Sequence, residues 1–118
     1  MSKIEAKQII GKWRSYKQQY NDKEKMQDGG NWTEWTFQDD GKAKFLLSTE
    51  NKLISDYRDR FWTIKELELD GVTTYHLNIN DQSEYEILSV DKSFLVLKSS
   101  NGIIYHFADM LKWYDVIK

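Results

Sequence analysis

The chain has 118 residues, of which 14% are aromatic and 31% charged, with a net charge of −2. That length suits a single domain over residues 1–118 with one real core. Its charges are interspersed and its only arginines are Arg14, Arg58 and Arg60, which argues against a basic face for nucleic acid. The lack of Cys excludes disulfides and thiolate metal sites. No run approaches the ~20 apolar residues of a membrane span, and none of signal-peptide length follows Met1. The expectation is a soluble, cytoplasmic chain, unless an export leader has been removed.

Residues 2–10 read as a short helix, with Ser2 as cap, Glu5 three residues on and Gly11 as terminator. Ile4, Ile9 and Ile10 are its only large apolar residues, too few for a free-standing helix, so it should lid one end of something larger. Residues 12–20 alternate weakly and carry Trp13, Tyr16 and Tyr20, a first strand. A polar, glycine-ended loop is expected over 21–30, then a strand over 31–38 with Trp32, Trp35 and Phe37. Asp39-Asp40-Gly41 is a tight-turn signal. Residues 42–49 place Ala43, Phe45 and Leu47 on one face and Lys42 and Lys44 on the other, the period of a half-buried strand.

Residues 50–57 have no clear pattern. A strand over 58–68 puts Arg58, Arg60, Trp62 and Ile64 on one parity, and Asp70-Gly71 turns into a strand over 72–80 with Tyr75, Leu77 and Ile79 together. Residues 83–90 carry Tyr85 and Ile87 on one face but Leu88 and Val90 on the other, which predicts a bulge or a strand covered on both sides. Residues 93–100 hold the run Phe94-Leu95-Val96-Leu97. Asn101-Gly102 has the composition of a type I′ turn, and 103–109 place Ile103, Tyr105 and Phe107 on one face. The tail 110–118 fits either a last strand or a helical turn. The fold class is therefore all-β: an eight-stranded antiparallel up-and-down barrel with a short N-terminal helix, closed because closure removes exposed edges.

A short helix, Gly11-Lys12-Trp13 opening the first strand, Trp35-Thr36-Phe37 followed by Gly41, and Tyr85-Glu86-Ile87-Leu88-Ser89-Val90 followed by Phe94-Leu95-Val96-Leu97 together resemble the small bacterial lipocalin-like domains. The resemblance covers roughly residues 4–108. It implies that the first-strand Trp closes one barrel end and packs under a basic residue, a role open to Arg14 or Lys112. It further implies a small ligand held inside the barrel.

Eight strands leave an interior that is either filled by side chains or holds one small ligand. Trp35, Phe37, Trp62, Tyr75, Tyr85, Tyr105 and Phe107 could line such a cavity or simply fill it. Arg60, sharing a face with Trp62, could hold a ligand carboxylate, or Arg58 and Arg60 could pair with Asp56 and Asp59 at the surface. His76 and His106 are isolated, and no metal or cofactor is expected. Glu34 would be a candidate acid or base only if it faced inward, and an outer, solvated position is favoured. Trp113 and Tyr114 offer aromatic anchors for a protein partner, against a tail packed on the barrel. Three functions follow in order: a non-enzymatic binder of a small apolar or amphipathic ligand, a filled barrel serving as a protein-interaction module (an accessory or toxin-neutralising protein), and a barrel-based lyase or isomerase.

Overall fold

The computed structural model describes residues 4–21, 23–26, 32–49, 52–55 and 60–116. The chain begins with a one-turn helix, α1 (Ala6–Ile9), started by a capping box in which the Glu5 and Gln8 side chains satisfy each other's backbone N–H groups. The cap is Glu5, and Ser2, expected in that role, lies outside the described residues. Gly11, at φ 140°, then turns the chain into β1 (Gly11–Tyr20). The Trp13 indole N–H donates to the Ile9 carbonyl at 2.8 Å, tying helix to strand.

Among the described residues nine further strands follow: β2 (Lys23–Met26), β3 (Trp32–Phe37), β4 (Lys42–Thr49), β5 (Lys52–Ser55), β6 (Arg60–Leu69), β7 (Val72–Ile79), β8 (Ser83–Val90), β9 (Phe94–Ser99) and β10 (Ile104–Asp109). Among the described residues, every pair of neighbouring strands is antiparallel. Because β10 pairs back onto β1, eight strands form a hydrogen-bonded ring, β1-β3-β4-β6-β7-β8-β9-β10, a near barrel. A final helix, α2 (Met110–Val116), replaces the strand alternative for the tail.

The two strands outside the ring occupy wall positions that other strands share. One edge of β1 pairs with β10 along its length, so its other edge is divided between β3, opposite residues 11–14, and β2, opposite residues 17–20. The same holds for β4, whose second edge meets β6 only through Lys42 and Ala43, and β5 from Leu46 to Thr49. β2 falls where a loop was expected, since its Lys-Glu-Lys-Met sequence has no apolar alternation.

Alternation sorts the side chains. The inner face gathers Trp13, Phe37, Ala43, Trp62, Tyr75, Leu77, Ile79, Ile87, Leu95, Leu97 and Phe107 into one core, with Ile9 from α1 fully buried at its end. The helix is thus the lid that its few isoleucines implied. The expected irregularity in residues 83–90 is a register shift between Ile87 and Ser89, which turns Val90 back onto the core and leaves Leu88 exposed.

The turn at Asn101-Gly102 differs from the type I′ expectation. Only Gly102 has positive φ, Gly102 N–H donates to the Ser99 carbonyl at 3.0 Å, and Ser99 N–H to Ile103 at 2.9 Å. That is a type I turn closed by a glycine bulge. The two central residues with positive φ occur instead at Asp70-Gly71 and Asn80-Asp81.

Candidate functional site

Inside the ring the aromatic side chains touch one another. Trp35 stands at their centre, with ring centroids 5.0 Å from Phe107, 5.2 Å from Phe45, 5.2 Å from Tyr85 and 6.2 Å from Phe37. Phe37 in turn lies 5.4 Å from Trp62, and Tyr105 bridges Tyr85 and Phe107 at 6.4 and 6.5 Å. Burial, with the neighbouring Tyr105, holds the Tyr85 phenol above its ordinary pKa. Phe37, Tyr85, Tyr105 and Phe107 are therefore members of, or packed on, the core.

Trp62 and Tyr75 are different, because each presents a side to an open cleft of about 560 Å³ beside α1. Its apolar wall comes from Ile4, Ala6 and Ile10 on the lid, and from Trp62 and Ile64 on the inner face of β6. The Trp62 indole N–H donates to the Gln38 carbonyl at 2.9 Å, which fixes that ring. Glu5, Asp39, Glu66 and Tyr75 supply the polar groups. Glu66 and Tyr75 are direct cross-strand partners. Burial, a hydrogen bond to the Glu66 carboxylate and its charge raise the Tyr75 pKa. The volume falls within the ~300–1,000 Å³ of small-molecule sites. Glu66 and Asp39 were not offered as ligand residues from sequence, and the isoleucines were named only as a lid and a strand face. Their only signal was position: alternation puts Glu66 on the face of Trp62 and Ile64, and the lid puts Ile10 beside it.

At the other end, Trp35 and Phe45 line a smaller cleft of about 330 Å³ with Thr33, Leu46, Leu47, Ile54 and Ser55. Arg60 is half-buried where β6 leaves β4, opposite Ala43. Arg58, Asp56 and Asp59 lie outside the described residues.

The outer wall carries a second apolar cluster of Trp32, Ala108 and Trp113, with Tyr16, Leu46, Phe94 and Val116 around it. Arg14 lies over this cluster, its guanidinium carbon 3.8 Å from the Trp32 ring centroid and 4.8 Å from that of Trp113. The basic residue thus packs on Trp32 outside the ring rather than on Trp13, while Lys112 lies 5.7 Å from the Phe94 ring. Glu34 does face outward, yet it is paired with Arg14 rather than solvated. Trp113, offered as an exposed anchor, is 2% exposed and donates its indole N–H to the Ser15 carbonyl at 2.9 Å. Tyr114 remains 52% exposed. Trp113 lies inward because it is on the face of α2 that packs on the second cluster.

The histidines stand apart. His106 Nε2 is 2.9 Å from Gln19 Oε1, and His76 Nε2 is 2.9 Å from the Thr74 hydroxyl. Among the described residues there is no group of three His, Cys, Asp or Glu that could hold a metal ion, and no helix is long and apolar enough to cross a membrane. Compared with known proteins, the chain matches no family model, no curated protein and no solved structure.

Proposed function

We propose that this protein is a non-enzymatic binder of a small amphipathic molecule, related to the lipocalin-like domains its sequence resembles, and that it holds its ligand at the lidded end of the barrel. The observation that carries the reading is the cleft beside α1, with an apolar wall of Ile4, Ile10, Trp62 and Ile64 and a few polar groups at its rim. The mutual contact of Trp35, Phe45, Tyr85 and Phe107 favours an end site over a central one. The ring of eight strands with a helix over one end supports the kinship.

Native mass spectrometry of protein purified gently from its own host tests this. A discrete increment of a few hundred daltons, lost on denaturation and lost in an Ile10→Arg variant, is the expected result. A bare chain of 14.1 kDa that also fails to take up small amphipathic probes would remove the reading.

A second reading, a protein-interaction module, draws on the outer face of the β6–β7 hairpin. Leu67, Leu69 and Val72 are all exposed there, and Leu69 stands directly opposite Val72. A second polypeptide retained in the same spectrum, and lost in Leu69→Lys, would favour it.

A further inference from the structure

We infer that the ligand taken at the α1 cleft is a cation, a protonated amine on an apolar body. This rests on the cleft being the ligand site. Among the described residues, every ionisable one that lines it, tyrosine aside, is a carboxylate: Glu5, Asp39 and Glu66. Glu5 is already engaged, accepting from the helix backbone and lying 3.2 Å from the Lys7 ammonium. Asp39 and Glu66 have no ion-pair partner among the described residues, and Glu66 accepts from the neutral Tyr75 hydroxyl.

The two carboxylates come from different places, the β3–β4 turn and the middle of β6, yet both border the wall made by Trp62 and Ile64. An apolar chain laid on that wall would carry its terminal ammonium towards the carboxylates that border the same cleft. A cation that reached the face of the Trp62 ring would gain a further attraction that an anion would not. An anionic amphiphile would meet two uncompensated negative charges instead. A neutral one would gain only the apolar contact.

The test uses the full chain and three probes with one eight-carbon body: n-octylammonium, 1-octanol and n-octanoate. Binding is followed by NMR through the Trp62 indole N–H and the amides of residues 5–10. The expected result is that octylammonium binds about tenfold more tightly than octanol at low salt, since two unit charges at partly exposed carboxylates each contribute a few-fold, and that octanoate binds more weakly than octanol. Added salt should narrow the spread, because these groups are solvent-accessible. In an Asp39→Asn, Glu66→Gln double variant octylammonium and octanol should bind about equally well, the amide at 66 still accepting from Tyr75. Octanoate binding as tightly as octylammonium would overturn the cation assignment and leave the binder intact. An undiminished preference in the double variant would overturn the role of these two carboxylates. Silence of the cleft signals towards all three probes would remove both the assignment and the binding site.

Discussion

Arg14 Nε meets Glu34 Oε1 at 3.0 Å across the β1–β3 ladder, on the outer wall, and yet the two side chains are only 13% and 12% exposed. They are shielded by α2, which lays Trp113 beside the guanidinium that already covers Trp32. Removing one partner leaves the other charge in a place with little water. Arg14→Ala should therefore lower stability by about 2–3 kcal/mol, more than an exposed ion pair of ~0–1 kcal/mol could account for. Arg14→Lys, which keeps the charge but not the planar stacking, should recover only part of this. Urea unfolding of the two variants gives the answer, and equal stability of wild type and Arg14→Ala would refute the account.

Trp113 fills the second cluster. Its truncation to Ala should cost about 3–5 kcal/mol, the range for buried aromatic residues. Trp113→Phe keeps most of the bulk and loses the bond to the Ser15 carbonyl, so about 1–2 kcal/mol is expected. Thermal unfolding within 2 °C of wild type for the Ala variant would mean that α2 is not held by this ring.

His106 gives a pH signature. Burial is the main cause that lowers its pKa, Lys17 adds to the lowering, and Glu24 opposes it. A group whose folded pKa lies below the unfolded value of about 6.5 stabilises the fold above that value. This contribution is lost as pH falls from about 6.5 through the folded pKa. His106→Gln should therefore lose less stability than wild type between pH 7.5 and pH 5. Denaturation midpoints at the two pH values report it, and an equal or steeper loss in the variant would contradict the direction.

Gly11 sits at φ 140°, a region that side-chain-bearing residues rarely adopt, with open space where a Cβ would stand. Gly11→Ala should therefore cost about 1–3 kcal/mol through backbone strain alone, without a clash. A crystal structure of that variant should show residues 9–13 shifted and distant strands unchanged. If Gly11→Ala is as stable as wild type, the strained entry from helix to strand is not needed.

The strands with strong alternation were legible. Residues 42–49 and 83–90 match β4 and β8 residue for residue, and the bulge in β8 could be read from Leu88 and Val90 changing faces. β2 was not legible because nothing in Lys23-Glu24-Lys25-Met26 alternates; its strand state is imposed by pairing with residues 17–20 of β1. The burial of Glu34 was hidden for a related reason. Alternation places it correctly on the outer face, but only the tertiary position of α2 (Met110–Val116), far along the chain, removes the solvent. The cleft depends on Ile10, at the end of α1, and Glu66, in β6, lining the same opening, and no local pattern encodes such a meeting. Of the candidate ligand residues, Trp62 and Tyr75 reach it, Trp35 reaches the smaller cleft, and the remaining rings fill the interior.

The ring closes by pairing β10 with β1, Trp13 lying opposite Asp109. That edge of β1 is covered only once β10, the last strand of the described residues, is in place. Before then, a chain that has formed its other strand pairs is an unsealed curved sheet, with edges of β1 and β9 still seeking partners. Sealing happens only when residues 104–109 emerge, and the same few residues deliver α2 to its place over Arg14. Truncation there would strip the polypeptide of its closure and of its outer clasp in a single cut, leaving the newborn chain open to aggregation.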